Sequence, residues 1–303
     1  MRVGVTGATG MVGRVFVAAL RARGDAVTVF SRDPLRAQAT LGDVEALPNA
    51  ALESATLSRL DAVVNLAGEP VAASRWTDAR KRVIVGSRVD MTRAVVDALA
   101  TASPRPAVLV NASAVGYYGA CGDAEVTEER APGDDFLASV CIAWEREARR
   151  AEALDVRVVY ARIGVVLGER GGALARMIPA FKMFVGGPVG DGRQYLPWVH
   201  VDDVVGLLLH ALDHPELRGS MNVTAPSPAR FADFARALGE ALGRPSWMPV
   251  PSVALRVVMG ELADAILTGQ RALPRVALAT GYTFHYPELP AALRAALRVA
   301  REG

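Results

Sequence analysis

Apolar residues in the first two thirds of the chain fall into short β-branched runs that alternate with longer stretches of helical period. The runs Arg2–Thr6, Ala26–Phe30, Ala62–Leu66, Ala107–Asn111 and Val156–Ala161 predict strands, and their near-continuous apolar character is that of strands covered on both faces. Between them, Met11–Arg23, Thr77–Ala102 and Phe136–Leu154 carry their apolar residues on one helical face. This alternation predicts an α/β fold, a Rossmann doubly wound parallel sheet. The helix over Thr77–Ala102 should stop before Ser103-Pro104-Arg105-Pro106, because proline lacks a donor and disfavours helix in the residue before it. Asp33–Leu60 shows no clear period. From about Gly186, prolines from Pro188 to Pro251 punctuate short helices and short extended pieces. The chain is therefore expected to divide into a Rossmann domain, residues 1–185, and a smaller, mostly helical C-terminal region, residues 186–303.

Composition narrows the class without changing it. The chain has 303 residues, 51% of them hydrophobic and 22% charged, as an ordinary globular protein does. A net charge of +2 gives no electrostatic reason for a nucleic acid or an anionic membrane as partner. Thr6, Gly7, Thr9, Gly10 and Arg14 interrupt the apolar N-terminus, which therefore does not read as a signal peptide. Nor does any stretch approach the ~20 apolar residues of a membrane helix. Cys121 and Cys141 do not make a disulfide framework, so a reducing, cytoplasmic setting is expected. No HExxH, CxxC or GxSxG spacing occurs, which argues against metallohydrolase and triad-hydrolase chemistry, and no metal is expected.

The chemistry begins at the N-terminus, in Gly7-Ala8-Thr9-Gly10-Met11-Val12-Gly13. A GxxGxxG pattern is weak alone, but here it follows a strand and opens a helix. In that context Gly7 permits the tight turn and Gly10 lets backbone amides approach a pyrophosphate. Gly13 lets the helix pack close to the sheet with its positive end on the phosphates. Cofactor choice rests on the end of the second strand, where an NAD site places an acid on the ribose 2′-hydroxyl. The chain has Ser31-Arg32 there, a hydroxyl and a guanidinium suited to the 2′-phosphate of NADP(H), with Arg36 as a second cation one turn on. The alternative leaves Arg32 in solvent, with Asp33 on the ribose and NAD bound. Leu66, Ala67, Gly68 and Glu69 form a small-residue turn expected beside the adenine ribose.

The glycine loop, Asn65-Leu66-Ala67-Gly68 and Trp198-Val199-His200-Val201-Asp202-Asp203 together resemble the short-chain dehydrogenase/reductase superfamily, in its extended, nucleotide-sugar-modifying branch. The resemblance narrows through Leu66–Pro70 with Arg75-Trp76, Asn111–Gly119, Cys141–Glu145, Gly192-Arg193-Gln194, Asn222–Pro226 and Gly281–Pro287. These are similar to an atypical family of NAD-dependent epimerase or nucleotide-sugar-epimerase type, some members of which have been linked with cell-division inhibition. The resemblance spans essentially the whole chain.

It implies a Ser, Tyr and Lys catalytic unit, and here the chain departs from the pattern. Ser113 fits the Ser position, but the Tyr and Lys positions fall on Cys141 and Glu145. A thiol is a poor hydrogen-bond donor, and a carboxylate raises the pKa of a neighbouring acid where the lysine would lower it. Glu145 could still accept bonds from the nicotinamide ribose. Tyr117, in the loop after Ser113, is the replacement acid, with packing as its bland alternative; Cys141 reads as a core residue or a reactive thiol. By the same resemblance Gly190–His200 closes over the substrate, with Arg193 and Gln194 on a phosphate or sugar hydroxyl and Trp198 as a wall. His200 reads as a structural histidine.

Two functions follow. One is an NADP-dependent oxidoreductase or epimerase acting on a small polar molecule, possibly a nucleotide sugar. The other is a catalytically inactive NADP-binding regulator or sensor, favoured by the missing Tyr and Lys. The partners expected are the small-molecule substrate and, for assembly, a second copy in a homodimer.

Overall fold

The computed structural model describes residues 1–168 and 171–302, with side chains as far as residue 297. The chain opens β1 (Arg2–Thr6), α1 (Met11–Ala22), β2 (Ala26–Ser31), α2 (Pro34–Leu41), β3 (Glu45–Pro48), α3 (Ser54–Leu57), β4 (Ala62–Asn65) and α4 (Asp78–Thr101). Next come β5 (Val108–Ala114), β6 (Glu125–Val126), α5 (Phe136–Arg149), β7 (Arg157–Ile163), β8 (Val165–Leu167), α6 (Gly172–Lys182), β9 (Tyr195–Leu196), β10 (Trp198–His200) and α7 (Val201–Asp213). It closes with β11 (Gly219–Val223), β12 (Ala229–Arg230), α8 (Phe231–Leu242), α9 (Ser252–Met259), α10 (Leu262–Thr268), β13 (Arg271–Ala272), α11 (Arg275–Ala279) and α12 (Leu289–Glu302).

Seven parallel strands make the central sheet in the order β11-β7-β5-β4-β1-β2-β3. The order turns about β1, which pairs with β2 on one side and β4 on the other, and such a switch point opens a crevice at the carboxyl ends of the strands. The apolar runs end up where their pattern places them. Val3, Val5, Val29, Val64, Val110 and Val159 are buried under α1 and α7, while Val63, Leu109 and Val158 meet the opposite layer with Val95 and Leu99 of α4.

The regions that lacked a period prove to be short elements. Asp33 caps α2, its Oδ1 accepting from the Arg36 amide at 3.0 Å, and β3 is a half-exposed edge strand ending in Pro48, so neither leaves an apolar repeat. β5 runs to Ala114 and β7 to Ile163, beyond the expected ends, because their last residues bury polar side chains, Ser113 and Arg162. The helix expected through Leu154 tightens into a 3₁₀ turn over Arg150–Leu154.

The expected division at residue 185 does not cut the sheet cleanly. β11 lies beyond it yet forms the sheet's edge, in register from Gly219 against Val159 to Val223 against Ile163, and α7 packs beside α1. The rest of the C-terminal region shares a second core with α6, in which Leu174 and Phe181 of α6, Trp198 of β10, Phe234 and Leu238 of α8 and Leu293 of α12 are buried together.

Below the crevice a buried polar chain ties strands to helices. The Thr6 hydroxyl donates to Asn65 Oδ1 at 2.5 Å, and Asn65 Nδ2 donates to Asn111 Oδ1 at 2.7 Å and to Thr92 Oγ1 at 2.8 Å. Trp144 Nε1 of α5 also donates to Thr92 Oγ1, at 2.9 Å. Three strands and two helices therefore share one fully partnered network, which fixes α4 and α5 against the strand ends.

Candidate active site

At the switch point lies a cleft of about 450 Å³, lined along one wall by Gly7, Thr9 and Gly10 and along the other by Leu66, Ala67, Gly68 and Glu69. Gly7 stands at φ +67°, and a Cβ there would lie 2.5 Å from the Leu66 carbonyl carbon, so only glycine allows this approach. A Cβ on Gly13 would come within 2.4 Å of the Gly7 oxygen, which is why α1 can lie so close to the loop. Gly10 caps α1 without a side-chain bond, and no acidic residue occupies the first turn. The first bond of the helix runs from Arg14 N–H to Gly10 O, leaving the amides of Met11, Val12 and Gly13 for an anion. Gly10→Val should still fold, since its φ of −70° suits any residue. It should weaken dinucleotide binding by at least ~100-fold, the loss of two amide–phosphate bonds at about 1.5–3 kcal/mol each. Fluorescence titration with NADPH, with a thermal melt as control, checks both, and wild-type affinity would remove the loop from the phosphate site.

One end of the cleft carries Phe30, Ser31, Arg32 and Asn49. The Arg32 side chain is 85% exposed and meets Glu69 across the mouth at 3.4 Å. Asp33 is engaged as the cap of α2, so the cleft's strand end presents a cation and a hydroxyl. Asn49, which the sequence reading missed, has a buried Oδ1 with no partner. An adenine amino group would supply the donor it lacks, and with the free α1 amides this makes the cleft fit an adenine dinucleotide.

Beside Ser113 the structure builds a buried ion pair. Arg162 lies beside Ser113 in the β5–β7 register, and its Nε and Nη2 each reach a Glu145 oxygen at 2.9 Å. Both side chains are only 3–4% exposed. Burial alone would lower the Arg162 pKa, but the Glu145 hydrogen bonds and charge hold it above the usual arginine value. The Ser113 hydroxyl donates to Glu145 Oε1 at 2.7 Å. The carboxylate is thus committed inward, which corrects the expectation that it accepts from the nicotinamide ribose. Cys141 is buried with its sulfur 3.6 Å from the Ala114 carbonyl, and burial first, then the Glu145 charge, push its thiol up to about 11. It is a neutral core thiol at any physiological pH.

Tyr117 and Tyr118 occupy the 3₁₀ turn Val115–Tyr118 directly after β5. Tyr118 is buried and bonded to Asn222 and Arg162, and burial raises its hydroxyl to about 12. Tyr117 is half-buried, with the Arg162 guanidinium 3.5 Å from its ring centroid, and its hydroxyl makes no bond to the described residues.

The proposed cap is divided. Arg193 is exposed, but Gln194 Nε2 donates to the Val189 carbonyl at 3.0 Å. Trp198 is 1% exposed within the C-terminal core, its Nε1 donating to the Ser227 carbonyl, so it packs the interior and does not form a wall. His200 caps α7, its Nδ1 accepting from the Asp202 amide, and burial lowers its pKa. Among the described residues no group of His, Cys, Asp and Glu is placed to hold a metal ion, and no helix is long and apolar enough to cross a membrane.

A glycine-lined crevice at the switch point of a seven-stranded parallel sheet defines the class, a Rossmann-type nucleotide-binding fold. Residues 3–224 match the model of the NAD dependent epimerase/dehydratase family, and the chain belongs to that family. Residues 250–296 match a second model, described as a domain of unknown function. The chain is 44% identical over 305 residues to the chloroplastic homolog of epimerase family protein SDR39U1 from Arabidopsis thaliana, covering 98% of this chain and 87% of that one. It is 38% identical to epimerase family protein YfhF of Bacillus subtilis, covering 97% of each. Among solved structures, human epimerase family protein SDR39U1 with NADPH superposes with a TM-score of 0.90 at 38% identity, covering 98% of this chain and 99% of that one.

Proposed function

We propose that the chain is an NADP(H)-dependent oxidoreductase or epimerase acting on a carbonyl or hydroxyl of a small polar molecule. The observation that carries the cofactor is the cleft end itself, where Ser31 and Arg32 stand in place of an acid. The relative crystallised with NADPH supports it. In this reading the α1 amides and Gly10 hold the pyrophosphate, Arg32 and Ser31 the 2′-phosphate, and Asn49 the adenine. Bound there, the cofactor would supply a hydride donor or acceptor, and Tyr117, in the turn that follows β5, would exchange the proton at the substrate oxygen. Ser113, its own proton held by Glu145, can accept a bond from a substrate hydroxyl. Exposed Arg193 faces solvent as a contact for an anionic substrate group.

NADPH should bind at least ~10-fold tighter than NADH, as one charge-assisted contact contributes about 1.5–3 kcal/mol. Arg32→Glu should weaken NADPH and spare or improve NADH. Equal affinities of the wild-type protein for the two would sink the assignment. A second reading, an NADP-binding protein without turnover, is favoured by the sealed Ser113–Glu145–Arg162 cluster. It gains if no aldehyde, ketone or nucleotide sugar discharges bound NADPH.

A further inference from the structure

α4 carries a guanidinium that the fold leaves half used. Arg88 is half-buried, and its Nη1 donates to the carbonyls of Glu69 and Ile84, each at 3.1 Å. Its Nε and Nη2 make no hydrogen bond among the described residues, and none of the ion pairs there includes it. A buried cation normally has a carboxylate partner or an equivalent set of acceptors. Arg88 has neither, and burial pulls its pKa below the usual arginine value.

Its position shows where the missing acceptors would come from. A Cβ built on Gly68, a residue of the cleft wall, would lie 3.0 Å from Arg88 Cζ, 3.1 Å from Nη2 and 3.3 Å from Nε. A Cβ at position 68 would make the guanidinium give by a few tenths of an ångström, so the glycine lets it lie close against that wall. From the other side the group stacks 5.1 Å from the ring centroid of Trp144, one helical turn from Cys141 on α5. Trp144 is itself held by Thr92, so the stack is fixed. Arg88 thus sits between the cofactor cleft and the helix face where the resemblance puts a lysine and this chain has Glu145. Glu145 is turned away to Arg162.

We propose that Arg88 holds the ribose of the nicotinamide half of the dinucleotide, donating from Nε and Nη2 to its two hydroxyls. The inference rests on the NADP(H) reading. Three other parts of such a cofactor have partners in that reading: the pyrophosphate at the α1 amides, the 2′-phosphate at Arg32 and the adenine at Asn49. Of the polar groups left over, the distal ribose offers a vicinal pair of oxygens, which a planar fork of two parallel donors matches. The cation at the reaction centre has therefore moved from α5 to α4, and a vacant lysine position does not by itself mean a lost ribose contact.

Three probes separate this from other roles. NADPH contains the distal ribose and the nicotinamide, 2′-phospho-ADP-ribose keeps that ribose without the nicotinamide, and 2′-phosphoadenosine 5′-diphosphate keeps both bridge phosphates but lacks that ribose and the nicotinamide. Arg88→Met should weaken NADPH and 2′-phospho-ADP-ribose by about 10- to 100-fold, the loss of one or two charge-assisted bonds, and leave 2′-phosphoadenosine 5′-diphosphate within about 2-fold. Retained binding of this last probe also shows that the variant folds. If the Met variant does not fold, Arg88→Gln keeps a polar contact to the Glu69 carbonyl and should give the same pattern. Unchanged NADPH affinity in a folded variant overturns the proposal, as does an equal loss for all three probes, which would put Arg88 on the phosphates. Wild-type protein that binds none of the probes is a different result, and it overturns the cofactor reading itself.

Discussion

Tyr117→Phe is expected to lower turnover by about 10²- to 10⁴-fold, the scale of one general acid, while leaving NADPH affinity nearly intact. The argument is a process of elimination on side chains the fold brings together. Ser113 is at the right strand end, but its proton is directed at Glu145 at 2.7 Å and is not available to a substrate oxygen. Cys141 is buried and its thiol is pushed up to about 11, so it neither ionises near neutrality nor donates well. Tyr118 spends its hydroxyl on Asn222 and Arg162. Tyr117 alone among these keeps a hydroxyl without a partner among the described residues, and the Arg162 guanidinium lies 3.5 Å from its ring centroid. Cys141→Ala should accordingly change turnover by less than about 10-fold. Single-turnover oxidation of bound NADPH, followed by absorbance with a panel of aldehydes, ketones and nucleotide sugars, reads both variants. A dead Cys141→Ala beside an active Tyr117→Phe would transfer the role to the thiol.

The second large effect is on stability. Removing one member of the Glu145–Arg162 pair leaves an uncompensated charge in the interior, and Arg162→Met should cost about 3–5 kcal/mol. For a chain of this size each kcal/mol is about 2–4 °C in melting temperature, so a shift of roughly 10 °C is expected. Ser113, Tyr117 and Tyr118 all lean on this pair, directly or through its ring contacts. The double variant Glu145→Leu with Arg162→Met removes both charges and should lose markedly less than either single change. Urea unfolding of the four proteins gives the coupling. Additive losses would show that the two side chains act independently, contrary to their paired 2.9 Å contacts.

The parts of this molecule that were legible in the sequence are those whose geometry is local. The strand–glycine–helix opening carries its own reason, since Gly7 and Gly13 must lack a Cβ for the loop and α1 to meet. The five apolar runs became parallel strands because their pattern is that of a doubly covered sheet. What escaped was nonlocal. Arg162 reads as the polar end of a strand, and only the β5–β7 register puts it beside Ser113 and under Glu145. With its partner invisible, Glu145 looked free to face the ribose. Asn49 lies in a stretch without a period, and its one signal is an unpartnered oxygen that no sequence shows. Trp198 was read as a wall from its neighbours in the chain, but its surroundings come from α8 and α12.

The placement of β11 bears on how the protein comes into being. The strand that completes the sheet emerges from the ribosome only after residue 223, long after β7, which it must cover. Until then the nascent chain shows the full outer edge of β7, a row of unpaired amides and carbonyls open to any other extended chain. Asn222 arrives with that strand, and its Oδ1 accepts the Tyr118 hydroxyl. The loop that carries the tyrosines is therefore completed only once β11 is in place.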